Sequence, residues 1–467
     1  MRGTPARPVK GGALPVGTSF ELEITGLAAE GDGVGRYGSL AVFVPHAAPG
    51  DLLRVAVTDS AASYARARIL AVVRPAPDRV APPCPVYPEC GGCTWQHLSY
   101  PAQLEWKRKI IVEALRRLGH LAEPETLVRP TLPADPPWRY RHKMAVPFTP
   151  PEAQGAGVRA GFYAARSHRV VPFESCRIQH PLLDRVLAVT RRLVDELAIP
   201  AYDERTRTGV LRHVVARVSR RRGEVLVALV TPGPHFPAGP ALAAGIRKAI
   251  PECVGVVHNI NPSPGNAILG RVTRTLAGRD HLVEELDGLR FLVSAVSFFQ
   301  VSPAQAESLY RVAVEQAAPG PGDTVVDLYA GVGTLSLFLA RRSGAVEAIE
   351  DVGPAVADGR QNAAENRQDN LRFHLGAAEA VLPELVRAGL RPTVVVLDPP
   401  RKGAAPEVLE AILRVGPRRV VYCSCNPATL ARDLGELQRA YRLRAVQPVD
   451  MFPQTAHVEC CALMERA

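Results

Sequence analysis

Apolar and polar positions alternate along residues 16–75, where SFELEITGLA, LAVFVPHA, DLLRVAVTDS and YARARILAVV read as short strands. Side chains on a strand point alternately to opposite faces, so a period of two marks a half-buried strand. The glycine-bearing turns GDGVGRYGS and APGD separate the runs. Four or five strands in about sixty residues predict a small β-barrel. The Pro-rich PAPDRVAPP follows as a linker, and the period then changes. In QLEWKRKIIVEALRRLGH, Leu104, Ile111, Leu115 and Leu118 recur at helical spacing, with Gly119 as the stop. Residues 135–290 mix strand runs (YRHKMAVPF, VRAGFYA, HVVARVSRRRGEVLVALVT, CVGVVHNINPS) with helical stretches. This predicts a central α+β domain whose topology the pattern leaves open.

From about residue 300 the pattern becomes regular. A helix over 303–316 leads into TVVDLYAGVGTLSLFLARR, AVEAIE, LRFHLGAA, TVVVLDPPR and RRVVYCSCNP. A last pair of runs lies around YRLRAVQPVDMF and HVECCALME. Continuous apolar runs alternating with helices such as 355–367 and 406–415 predict a doubly wound, mainly parallel sheet.

The chain has 467 residues, room for two to four domains. With 47% hydrophobic and 22% charged residues it is globular rather than disordered or fibrous. No apolar run is long enough to span a bilayer, and MRGTPARPVKGGALP is not a secretory signal, so a cytoplasmic protein with no membrane partner is expected. The net charge of +10 favours a polyanionic partner. Arg2, Arg7 and Lys10 make residues 1–15 a flexible basic arm. The expected division is then barrel 16–75, central domain 76–290 and C-terminal α/β domain 291–467. A monomer is expected.

Three motifs of the last domain carry candidate chemistry. DTVVDLYAGVGTLSLFLA is strand, turn and helix, and Gly331 and Gly333 let the backbone turn sharply beside a ligand. Glu350 ends the next strand, where a carboxylate suits a ribose diol. Asp398 closes TVVVLDPPR and points toward the crevice in which α/β sheets bind ligands; a helix N-cap is the alternative role. Cys425, in SCNP at another strand end, is the candidate nucleophile, whereas Cys423 is expected only to pack. Glu459, in DMFPQTAHVECC, is either a functional acid or merely exposed at a sheet edge.

Nine cysteines without a signal peptide point to metal or catalytic thiols rather than a disulfide scaffold. Cys84-x5-Cys90-x2-Cys93 supplies three, and Cys176 is a better fourth than Cys253. Four thiolates fit zinc or an iron–sulfur cluster; the three-plus-one arrangement favours the cluster.

These motifs together resemble the RNA 5-methyluridine methyltransferases, in particular the 23S ribosomal RNA uracil-C5 subfamily, over nearly the whole chain. Residues 16–75 resemble a TRAM domain, an OB-like RNA-binding barrel, and the last domain a Rossmann-like class I methyltransferase. The resemblance implies S-adenosylmethionine as cofactor and a 4Fe–4S cluster on Cys84, Cys90, Cys93 and Cys176, with zinc as runner-up. It implies a cofactor pocket of Gln300, Tyr329, Gly331, Gly333, Thr334, Glu350 and Asp398, with Gln300 of SFFQVS in both a cofactor- and a substrate-side role. Ser302 stands where the family has Asn, and His142 of YRHK replaces Asn in an RNA-side motif. Cys425 is implied as nucleophile and Glu459 as base.

The chemistry fits that set. Uracil C5 is a poor nucleophile until a thiolate adds at C6, and a base must then remove the C5 proton so that the thiol can leave. Asp398 and Gln300 are placed to hydrogen-bond the ring. The target base has to be flipped out, with Phe298 or Phe299 to stack on it; Phe299 is expected to pack in the core instead. The alternatives are a transfer-RNA substrate, cytosine-C5 methylation, and a non-catalytic iron–sulfur RNA-binding factor.

Overall fold

A computed structural model describes residues 13–152 and 157–467. The basic arm expected over 1–15 lies, except for its last three residues, outside the described residues.

Strands β1 (Ser19–Leu27), β2 (Gly33–Tyr37), β3 (Leu40–Val44), β4 (Leu52–Ser60) and β5 (Tyr64–Arg74) close into a barrel of order β1-β2-β3-β5-β4. The alternation puts Leu22, Ile24, Val42, Val55 and Ala65 inside. At Gly35 a Cβ would stand 2.3 Å from the Glu23 carbonyl, so only glycine lets β2 run this close to β1.

Helix α1 (Tyr100–Arg117) buries Ile111, Val112 and Leu115. Leu118, expected on the same stripe, is half exposed, because the helix has already ended there. The apolar face of α1 packs on the C-terminal sheet, and Val128 and Leu132 bridge to its last residues. The stretch 100–132, grouped by sequence with the central region, therefore belongs physically to the C-terminal layer.

The central sheet contains β6 (Lys143–Thr149), β7 (Arg159–Tyr163), β8 (Val170–Pro172), β9 (His213–Val218), β10 (Val225–Thr231), β11 (Cys253–Ile260) and β12 (Val272–Gly278). Its order is β12-β11-β10-β9-β6-β7-β8. Helices α2 (Pro181–Glu196) and α3 (Gly239–Ala249) cover it, and α3 is the crossover between the parallel pair β10 and β11. The hairpin β13 (His281–Leu286) and β14 (Leu289–Ser294) follows and shares one core with both large sheets.

After α4 (Pro303–Ala317) the chain winds through β15 (Thr324–Leu328), α5 (Thr334–Ala340), β16 (Ala345–Glu350), α6 (Gly353–Glu365), β17 (Leu371–Leu375) and α7 (Ala378–Arg387). It continues through β18 (Val394–Leu397), α8 (Pro406–Val415), β19 (Arg419–Ser424), α9 (Pro427–Leu437), β20 (Tyr441–Val449) and β21 (Glu459–Arg466). The sheet order is β17-β16-β15-β18-β19-β21-β20, parallel except at β21. Val394 and Val396 face the core under α4 and α5, while Val395 and Leu397 face α1, α8 and α9. Burial on both faces explains the unbroken apolar runs. No helix among the described residues is long and apolar enough to cross a membrane.

Candidate active site and thiol pocket

The turn after β15 is strained. Tyr329 (φ +63°), Gly331 (φ +57°) and Gly333 (φ +77°) all adopt left-handed backbone. A Cβ at Gly333 would reach 2.5 Å from the Phe373 ring. Glu350, at the end of β16, accepts hydrogen bonds from the amides of Gly331 (2.8 Å) and Val352 (2.9 Å). Tyr329 and Glu350 line a cleft of about 260 Å³ with Asp351, Ala377 and Lys402. Burial raises the Glu350 carboxyl above its usual range, against the pull of the two amides. Thr334 is turned aside, donating its hydroxyl to Tyr310 Oη at 3.1 Å. Gln300 lies in a separate crevice beside His142, Lys143 and Arg217. The segments meet through the backbone: the His142 amide donates to the Val301 carbonyl at 2.7 Å.

Asp398 just past β18, Cys425 just past β19 and Glu459 at the start of β21 come within electrostatic reach of one another. Asn426 fixes the turn after Cys425 by donating to the Arg401 carbonyl (2.9 Å) and accepting from the Ala428 amide (3.1 Å). Glu459 is only 4% exposed, so it is not a surface acid; β20, not β21, forms the edge of the sheet. Burial, then the Asp398 charge, pushes Glu459 well up, with Arg401 opposing. Burial alone lifts Asp398 to about 6. Burial, Glu459 and Asp398 together push the Cys425 thiol to about 11. Cys423 packs as expected, its sulfur 3.7 Å from that of Cys461.

Cys84, Cys90, Cys93 and Cys176 line one cavity of about 110 Å³, walled also by Tyr87, Gln96 and Ile178. Burial raises the thiols of Cys90, Cys93 and Cys176, Cys93 to about 12. Among the described residues no three His, Cys, Asp or Glu side chains are grouped so as to hold a metal ion. Cys253 lies elsewhere, buried under α3.

Phe298 is 70% exposed, whereas Phe299 is 6% exposed and packs on Phe291 with ring centres 5.9 Å apart. Three side chains of this region escape the sequence reading: Tyr310, Arg401, and Lys107, which is buried in an ion pair with Asp450. The signal for Lys107 was present, since a lysine one turn before Ile111 lies on the apolar face of α1.

Residues 14–70 match the TRAM domain model, and residues 271–467 match the tRNA (Uracil-5-)-methyltransferase model. An uncharacterized RNA methyltransferase of Halalkalibacterium halodurans is 43% identical over 446 residues, covering 95% of this chain and 96% of that protein. Another, from Gloeobacter violaceus, is 44% identical over 463 residues and covers 99% of both. The crystal structure of Pyrococcus abyssi tRNA (uracil-54, C5)-methyltransferase in complex with S-adenosyl-L-homocysteine superposes with a TM-score of 0.75 at 27% identity, covering 95% of this chain and 100% of that one. The chain is an enzyme, an RNA methyltransferase that belongs to the RNA uracil-5-methyltransferase family and carries an N-terminal TRAM domain.

Proposed function

We propose that the protein methylates C5 of a uridine in 23S rRNA through a covalent bond between Cys425 and C6. The observation that carries this reading is the meeting of Cys425 with Glu459 and Asp398, each felt electrostatically by the thiol. S-adenosylmethionine, whose sulfonium methyl is the electrophile, fits the cleft at Tyr329 and Glu350, a carboxylate there suiting its ribose diol. Gly331 and Gly333 shape the turn above it. The Cys425 thiolate adds to C6, C5 takes the methyl group, and Glu459 accepts the C5 proton as the C6–S bond breaks. Asp398 accepts a hydrogen bond from a uracil N–H. Gln300 is assigned to the substrate side, and Thr334 to the cofactor wall behind Tyr310.

Cys84, Cys90, Cys93 and Cys176 would hold a 4Fe–4S cluster, with zinc as runner-up. Four thiols around one cavity are a chemically fitting donor set for such a group. If the group were bound, Cys84, Cys90 and Cys93 would be joined through it to Cys176, with part of the thiolate charge offset.

The barrel and the four-thiol pocket favour ribosomal RNA. A transfer-RNA substrate is the second reading, favoured by the solved tRNA methyltransferase that superposes over the chain. Incubation with labelled S-adenosylmethionine and unmodified 23S rRNA or tRNA transcripts separates them. Label in rRNA uridine supports the first reading and label in tRNA alone the second; no label in either RNA contradicts both.

A further inference from the structure

The loop 450–458, which leads into Glu459, is held by hydrogen bonds from the distant segment Thr94–Trp95 and from helix α1. Gln454 is 2% exposed and has left-handed backbone, φ +69°. Its carbonyl accepts from the amides of Thr94 (3.0 Å) and Trp95 (2.9 Å). Its amide donates to Gln103 Oε1 (2.9 Å), and its Oε1 accepts from Gln103 Nε2 (3.0 Å). Two residues on, the Ala456 amide donates to Thr94 Oγ1 (3.0 Å). The buried Trp95 indole donates to the Gly31 carbonyl (3.0 Å) in the barrel, and a Cβ at Gly31 would stand 2.9 Å from Ala456 Cβ. The near end of the loop is pinned at Asp450 by Lys107 and by Tyr100 (2.8 Å).

A non-glycine residue keeps left-handed backbone only where its surroundings over-determine it. Here four hydrogen bonds do so, and only the run 455–458 separates them from Glu459. We propose that Gln454 is a positioning residue for proton removal: clamped by Gln103 and the Thr94–Trp95 amides, it sets where the Glu459 carboxylate stands. The clamp ties that step to the cysteine loop 84–93 and to the barrel. The inference rests on Glu459 being the base. In that step the C5–H bond breaks and the proton passes to a Glu459 oxygen. The freed electron pair forms C5=C6, and the C6–S pair leaves with Cys425 as thiolate. Thiol addition and methyl capture come earlier, so a displaced carboxylate slows only the last step.

The test uses Gln454→Ala in the full-length protein, with Thr94→Val as a second variant that removes the Ala456 anchor while keeping the side chain's shape. On 5-fluorouridine RNA, which has no C5 proton to lose, adduct formation is expected to stay within about twofold of the parent protein, whereas turnover of uridine RNA falls about tenfold or more through kcat. The isotope effect on kcat with C5-deuterated uridine should rise. Equal losses in both assays, an unchanged isotope effect, or normal turnover by both variants overturns the positioning role. Glu459→Gln, run alongside, separates the two claims. If it accumulates adduct while the clamp variants show no split, only the positioning role fails; if it turns over normally, the base assignment fails and this proposal with it.

Discussion

Cys425 and Glu459 flank the last pair, Ser424 with Cys460, of two antiparallel strands. β19 and β21 pair Cys423 with Cys461 and Ser424 with Cys460; Cys425 follows the last residue of β19, and Glu459 opens β21. The arrangement places the proposed nucleophile within electrostatic reach of the acid proposed to take the proton. It also makes the thiol reluctant to ionise, since burial and two neighbouring carboxyls hold Cys425 near 11.

That reluctance predicts the pH dependence. The reactive form is the thiolate, and below the thiol's pKa each pH unit raises its fraction tenfold. The logarithm of kcat/KM for RNA should therefore climb from about pH 7 to about pH 9 without levelling. Arg401 draws the thiol down, so Arg401→Ala should displace the profile further to the alkaline side. A plateau below about pH 8 contradicts this electrostatic account.

The cofactor turn makes two separable demands. Gly333→Ala adds a Cβ against the Phe373 ring at a left-handed position, and should cost about 1–3 kcal/mol in denaturant unfolding. Glu350→Gln removes the charge expected to accept the ribose hydroxyls, and should weaken S-adenosylhomocysteine binding about tenfold by calorimetry. Unchanged affinity would move the ribose away from Glu350.

RNA engagement should be electrostatic with an aromatic component. Binding is expected to fall steeply with salt, as phosphate neutralisation requires. Phe298→Ala should lower kcat/KM for RNA by the about 1–3 kcal/mol that base stacking supplies, with S-adenosylmethionine affinity unchanged. A flat salt response contradicts the basic-surface reading, and an unaffected kcat/KM contradicts the stacking role.

The thiol pocket is open to direct inspection. Protein purified without oxygen should be brown with broad visible absorption, and Cys84→Ser or Cys176→Ser should lose the colour. A colourless protein carrying stoichiometric zinc contradicts the cluster.

Much of this was legible in the sequence because period and position carry physical meaning. The alternation of residues 16–75 is that of a barrel wall, and TVVVL and RRVVYC are unbroken because both faces of their strands are covered. The four cysteines were legible as a set, three from their spacing within ten residues and Cys176 as the better fourth, and they line one cavity. The placement of α1 was not, because an apolar helical face does not say which sheet it meets. Nor were Gln103 and Gln454, whose role is made of hydrogen bonds across some 350 residues of chain. Thr334 and Gln300 lie in the expected motifs, but their side chains face Tyr310 and the His142 crevice, which spacing cannot predict.

The central claim is a transient bond between Cys425 and a pyrimidine. Intact-mass analysis of the protein incubated with S-adenosylmethionine and 5-fluorouridine-substituted RNA tests it most directly. The account predicts a denaturation-resistant protein–RNA adduct whose attachment maps to the peptide containing Cys425 and which is absent in Cys425→Ala. An adduct at another residue, or methylation by Cys425→Ala at the parent rate, would contradict it.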